Sequence, residues 1–259
     1  MLAQNRVADK ANRIGSHATR VASGPRALLP HHPARRPVPA PDHSPRVAAV
    51  NAGQYFESEP SSPSRRHTVP LALPDLSLAL TTDRGVFARD GVDPGTKLLL
   101  LEGPVPATSG DLLDLGCGYG PIALTLARRA PEATVWALDV NRRALELTTL
   151  NAAACELSNV RAVAGEDVPH DVRFVEIWSN PPIRIGKAAL QSLLVTWLDR
   201  LAPNGRALLV IHKHLGADSL ARWLNDQGYA TERLTSRMGY RLIEVHPRPG
   251  DATTKEASA

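Results

Sequence analysis

Asp114-Leu115-Gly116-Cys117-Gly118-Tyr119-Gly120 follows an apolar run at 112–115 and leads into a helix-spaced segment ending at residue 129. A strand that passes through a glycine turn into a helix is the opening unit of an α/β sheet. Glycines let the backbone approach a ligand and adopt conformations that other residues avoid. The free N–H groups at the start of the helix are offered to that ligand. In a dinucleotide site the spacing is G-x-G-x-x-G and the ligand is a pyrophosphate. Here it is G-x-G-x-G, with Asp114 two positions before the first glycine. An acid there suits a ligand that ends in an ammonium, directly or through water.

The segments around this turn alternate strand and helix. Strands are expected at 134–138, 160–163, 172–178 and 206–212, and helices at about 142–154 and 189–201. Leu190, Leu193, Leu194, Trp197, Leu198 and Leu201 fall on one face of the second helix. Leu220, Trp223 and Leu224 mark a further helix that Gly228 ends, and 231–234 with 242–245 form an antiparallel pair. Upstream, 69–73 and 76–82 read as a β-hairpin around Pro74-Asp75, and Asp93-Pro94 opens a short helix. The fold expected is a doubly wound α/β sheet of seven strands with one antiparallel strand, preceded by a short β-hairpin. Trp136, Trp178, Trp197 and Trp223 read as core residues.

Candidate ligand contacts follow from this order. Asp139-Val140 ends the second strand, about 20 residues after the glycine turn, where an acid accepts from ribose hydroxyls. Asp167 follows the third strand and can accept from an exocyclic amine of adenine. S-adenosylmethionine has an ammonium end, a ribose and an adenine. The cofactor set is therefore Asp114, Gly116, Cys117, Gly118, Gly120, Asp139, Val140, Asp167 and Asn180. Plainer readings stand beside it: a tight turn, a helix N-cap at Asp139 and a solvated acid at Asp167.

Asn180-Pro181-Pro182 lies 66 residues after Asp114, beyond the fourth strand. Ligands of open parallel sheets bind beyond the C-terminal strand ends, so this motif belongs beside the cofactor. An amine conjugated to a π system must pyramidalise before it attacks a methyl group. The Asn180 side-chain oxygen and the Pro181 carbonyl can each accept one of its N–H groups and stabilise the charge developing on nitrogen. Pro182 stiffens the loop. Taken alone, the motif is equally a rigid post-strand loop. Asn180, Pro181 and Pro182 are the candidate catalytic residues.

Charge is uneven along the 259 residues. The formal net charge is +4, yet residues 1–50 hold eight Lys or Arg against two acids, leaving 22 basic and 24 acidic residues beyond. The bulk of the chain thus carries no strong signature for nucleic acid. Residues 1–52, rich in Pro and Arg, read as a disordered basic tail. A solvated extension, a stretch added by an upstream start site, an RNA-holding arm and a targeting segment all stay open. Residues 53–248 form the catalytic domain, and 249–259 a polar tail. Two cysteines, Cys117 and Cys155, give neither a disulfide framework nor a metal set and point to a reducing cytoplasm. Apolar runs such as 98–101 and 207–211 are too short to span a bilayer. Neither a metal nor a membrane is expected.

With these residues in hand, the chain resembles the small-domain methyltransferase family, and within it the 16S ribosomal RNA guanine-N2 methyltransferases. The resemblance covers roughly 53–247: Gly85-Val86-Phe87, Asp93 through Leu100, Asp114 through Gly120, Asp139, Asn151, Asn180-Pro181-Pro182 and Gly186. It implies a class I fold, S-adenosylmethionine as cofactor, and ribosomal RNA or the small ribosomal subunit as partner. It also implies that Phe87 lies on the segment covering the cofactor, unless the ring is ordinary core. Ribosomal members usually carry an aromatic residue after Asn-Pro-Pro that stacks on the flipped base, and enzymes acting on a release-factor glutamine typically carry Tyr. Here the residue is Ile183. Arg184, Lys187 and Lys213, with Arg237, are placed to meet a phosphate backbone, or are scattered surface charge. His212 and His214 flank Lys213 and read as surface residues. The alternatives to rRNA guanine methylation are N-methylation of a protein glutamine or a small-molecule amine, and an inactive cofactor-binding regulator.

Overall fold

The computed structural model describes residues 63–249. The tail at 1–52 and all but the first residue of 249–259 lie outside them. Two sheets form. A hairpin of β1 (His67–Ala72) and β2 (Ser77–Thr82) stands apart from a seven-stranded sheet. The large sheet contains β3 (Ser109–Leu115), β4 (Glu132–Leu138), β5 (Val160–Val163), β6 (Phe174–Ser179), β7 (Leu201–His212), β8 (Ala230–Arg237) and β9 (Tyr240–His246). Their order is β5-β4-β3-β6-β7-β9-β8. β9 runs antiparallel to β7 and β8, and the other pairings are parallel.

The interleaved helices are α1 (Pro94–Glu102), α2 (Pro121–Arg129), α3 (Arg142–Ala154), α4 (Lys187–Leu198) and α5 (Ala217–Asp226). Buried strands sort their side chains by alternation. Leu112, Leu208, Val210 and Leu242 join α1, α2, α3 and the hairpin on one face. Leu113, Leu209, Ile211 and Ile243 join α4 and α5 on the other. Trp136, Trp178 and Trp197 are buried and Trp223 packs against the second core, as expected of core residues.

Several strand ends differ from expectation by one to three residues, and the shifts of α4 and β7 are linked. α4 ends at Leu198, because Leu201 already pairs with Phe174 as the first residue of β7. β7 is correspondingly long and takes in Pro203-Asn204-Gly205 where its register with β6 shifts.

Beyond its apolar contacts and the Arg129–Asp75 ion pair, the hairpin is tied down by one buried side chain of α3. Asn151 on α3 is fully buried. Its Oδ1 accepts from the Thr81 N–H at 2.7 Å, and its Nδ2 donates to the Thr81 carbonyl at 2.8 Å and the Tyr119 carbonyl at 2.9 Å. Strand β2 is thereby fixed to the glycine turn.

Candidate active site

The strand order reverses between β3 and β6. The C-terminal ends of β3, β4, β6 and β7 meet there with the start of β9, around a cavity of about 660 Å³. That size suits a cofactor-sized ligand.

At the β3 and β4 end, Gly116, Gly118, Leu138, Asp139 and Val140 form the wall. The Gly116 and Cys117 N–H groups donate to the Leu138 carbonyl at 2.8 and 2.9 Å, tying the turn to β4. Gly116 has φ +81°, and a Cβ there would point toward the cavity with only Pro182 Cδ at 3.7 Å. Gly120 is different: at φ +92° a Cβ would fall 2.5 Å from Leu124 and 3.0 Å from Thr148, so this glycine seats the helix. Asp139 accepts from the Gly118 N–H with one oxygen and the Asn141 N–H with the other, both at 2.9 Å. Burial raises its pKa, opposed by backbone N–H donors at Asn141, Gly118 and Val140. The carboxylate keeps a lone pair for a further donor.

Asp114 and Cys117 lie beneath the turn rather than on the wall. Asp114 is fully buried. Its Oδ2 accepts from the Ala123 N–H at 2.9 Å at the start of α2, and its Oδ1 is buried without a partner among the described residues. Burial pushes its pKa up to about 8, against the Ala123 hydrogen bond, and the Asp139 charge adds to the rise. Cys117 sits against Thr148 and the Gly118 carbonyl. Burial, then the charges of Asp139 and Asp114, drive its thiol pKa well upward. The thiol is a packing group. Asp167 is exposed and does not reach the cavity wall.

Phe87 is not core. It is 64% exposed and lines the cavity mouth beside Val86. The loop that carries it is tied to α3: Asn141 Nδ2 donates to the Gly85 carbonyl and Arg143 to the Arg84 carbonyl, each at 2.8 Å.

Asn180 lies on the cavity wall between the two ends of the site. Its Nδ2 donates to Asp93 Oδ1 at 2.8 Å and to Thr96 Oγ1 at 3.0 Å. Those two acceptors fix the amide orientation, and Oδ1 has no partner among the described residues. Asp93 is the N-cap of α1, and the same oxygen accepts from the N–H groups of Gly95 (2.8 Å) and Thr96 (3.1 Å). Sequence reasoning took Asp93 only as a helix start; 87 residues separate it from Asn180, and nothing local signals the pairing. The Pro181 carbonyl accepts the Ile183 N–H at 2.8 Å, which leaves it one lone pair.

Beyond Asn180 the wall continues through Pro181, Pro182, Ile183, Arg184 and Leu193, then His212, His214, Leu215 and Tyr240. The two histidines thus face the cavity, which their spacing in the chain did not reveal. Lys187 and Lys213 are exposed and off the wall, and Arg237 pairs with Glu102. Among the described residues no group of three or more His, Cys, Asp or Glu is placed to hold a metal ion, and no helix is long and apolar enough to cross a membrane.

Residues 77–244 match the methyltransferase small domain family. The Bacillus subtilis (strain 168) protein YbxB is 33% identical over 194 residues, 74% of this chain and 96% of that one. Ribosomal RNA small subunit methyltransferase C of Aeromonas hydrophila is 35% identical over 147 residues, 54% of this chain and 42% of the relative. The Pseudomonas aeruginosa (strain LESB58) enzyme of the same name is 36% identical over 171 residues, 62% and 50%. The T. thermophilus 16S rRNA N2 methyltransferase RsmC, solved with AdoMet and guanosine, superposes with a TM-score of 0.63 and 26% identity over 73% of this chain and 52% of that one. The match therefore spans half or less of the first two ribosomal relatives and about half of the solved one.

Proposed function

The chain belongs to the methyltransferase small domain family, and on that premise we propose that it methylates the exocyclic N2 amine of a guanine in ribosomal RNA, with S-adenosylmethionine as methyl donor. Bound S-adenosylmethionine supplies a methyl group on a sulfonium.

The residues present fit that cofactor. Gly116 and Gly118 open the wall at the end of β3, and Asp139 keeps acceptor capacity for ribose hydroxyls. The unpartnered, buried Oδ1 of Asp114 gives the turn a carboxyl that can give up its proton to balance an ammonium end. From beneath the turn it acts through an intervening group rather than by direct contact.

The observation that carries the reaction type is the locked Asn180 amide. With both amide hydrogens committed to Asp93 and Thr96, Oδ1 is held as an acceptor on the cavity wall. The Asp93 carboxylate behind it polarises the amide and strengthens that acceptor. The remaining lone pair of the Pro181 carbonyl takes a second N–H. An amine held by both directs its lone pair along one line, and both acceptors gain strength as positive charge develops on the nitrogen. Pro181 and Pro182 keep this loop from relaxing.

Similarity to ribosomal RNA small subunit methyltransferase C supports small-subunit RNA as the target, and similarity to the T. thermophilus 16S rRNA N2 G1207 methyltransferase supports guanine. Arg184 at the cavity mouth, with Lys187 at the start of α4 and Lys213 just after β7, offers the phosphate contacts. Residues 53–248 act as the catalytic unit. The free thiols of Cys117 and Cys155 suit a cytoplasmic site of action.

Titration calorimetry with S-adenosylmethionine or its demethylated product, paired with turnover of Asn180→Ala, tests this reading. Expected are saturable binding by both proteins and a fall in kcat of about 100-fold in the variant. Absence of binding to the unmodified chain ends the proposal, and full activity in the variant removes Asn180 from it.

A further inference from the structure

The cavity has more wall than its cofactor end requires. Its second half is built from the end of β7 and the start of β9, and four of its side chains have no part in the chemistry described above. His212 and Tyr240 face each other across the β7–β9 register, with ring centroids 4.9 Å apart and edge-on. His214 follows, its ring 5.5 Å from that of His212. Leu215 is 57% exposed although it lines the cavity.

Fixed backbone holds this wall. The Lys213 N–H donates to the Gly239 carbonyl at 2.8 Å, joining the turn after β7 to the β8–β9 hairpin. Tyr240 is packed against Gly95, where an added Cβ would lie 2.6 Å from the ring. The phenol therefore sits beside the N-cap that orients Asn180. Burial raises its pKa, and the Asp93 charge contributes.

Three rings and an exposed leucine next to a locked amide acceptor make a slot for a flat, amine-bearing heterocycle. Ile183 contributes only an aliphatic surface to that slot. A planar base gains stacking from rings whatever its sequence context, and apolar walls exclude water from the amine.

We infer that His212, His214, Leu215 and Tyr240 form the seat of the acceptor base, with His214 and Leu215 as the replaceable contacts that set its affinity. The inference rests on the proposed reaction. The slot takes a nucleobase turned out of its strand, and the ring wall, rather than the residue after Asn-Pro-Pro, supplies the stacking.

The test uses the full chain, unmodified small-subunit RNA as methyl acceptor, and calorimetry with S-adenosylhomocysteine. His214→Ala and Leu215→Ala should each raise KM for RNA about tenfold, with S-adenosylhomocysteine affinity unchanged. His214→Phe should recover most of the loss, since a ring is restored without the imidazole. Both positions are exposed, and a melting curve for each variant checks that it folds. An active unmodified chain whose KM is indifferent to both alanine variants overturns the inference alone. A chain that binds S-adenosylhomocysteine but methylates no guanine in that RNA ends the inference together with the proposed function.

Discussion

A single carboxylate oxygen, Asp93 Oδ1, accepts from two backbone N–H groups and from the Asn180 amide. Such an acceptor is a positioning device: from the cavity wall, which Asp93 also lines, it decides which atom of Asn180 faces inward. Asp93→Ala frees the amide to rotate and should lower kcat about 10- to 100-fold. S-adenosylhomocysteine affinity should hold, and Asp93→Asn should fall between the two. Loss of cofactor binding in step with kcat, read by calorimetry, would instead make Asp93 a simple structural cap. Asp114 carries a pH signature. Its carboxyl rises from 3.8 to about 8 on burial, so between those values the folded chain holds a proton that the unfolded chain has released. Stability from this group is fully present below about pH 4 and declines as pH rises toward 8. Ligand-free melting temperatures should therefore decline less over that window in Asp114→Asn than in the unmodified chain, and parallel curves would contradict the assignment. Among residues, Gly116, Gly118, Asp139, Val140 and Asn180 were legible as cavity-lining because their place after a strand fixes their position. Asp114 and Asp167 were not. The first turns under its own loop to hold the Ala123 N–H, and the second stays in solvent; neither direction is encoded in local spacing.

Elements were readable where periodicity was unambiguous. α3 begins and ends where its spacing places it, although its N-cap is Asn141 rather than Asp139, and β5 also keeps its expected bounds. Contacts between elements were not readable. His212 and Tyr240 belong to strands whose antiparallel register alone brings their rings together. Asn151 appeared only as part of a resemblance, yet it makes three hydrogen bonds in a fully buried setting. Replacing it with Leu leaves the Thr81 N–H and two carbonyls without partners. We expect a loss of about 2–4 kcal/mol in unfolding free energy by denaturant titration. The glycine turn should also loosen, seen as weaker S-adenosylhomocysteine binding. A variant with unchanged midpoint would mean that β2 is held by its apolar face alone.

At the scale of the molecule, charge and function separate. The net positive charge lies in residues 1–50, whereas the remainder holds slightly more acids than bases. Phosphate contacts that matter for catalysis should then come from Arg184, Lys187 and Lys213. Deleting residues 1–50 should leave the salt slope of RNA affinity within about one phosphate contact of its original value. A fall of several contacts would assign RNA holding to that segment. Class I topology and the cofactor end follow from the turn at Asp114 and the motif at Asn180. The seat of the base depends on the far end of the sheet, which no motif marks. The reaction itself is tested most directly in ribosomal RNA nucleosides from cells with the gene, without it, and with Asn180→Ala restored. The expected result is one N2-methylguanosine lost on deletion and not recovered by the variant; an identical nucleoside profile in all three would contradict methylation of ribosomal guanine.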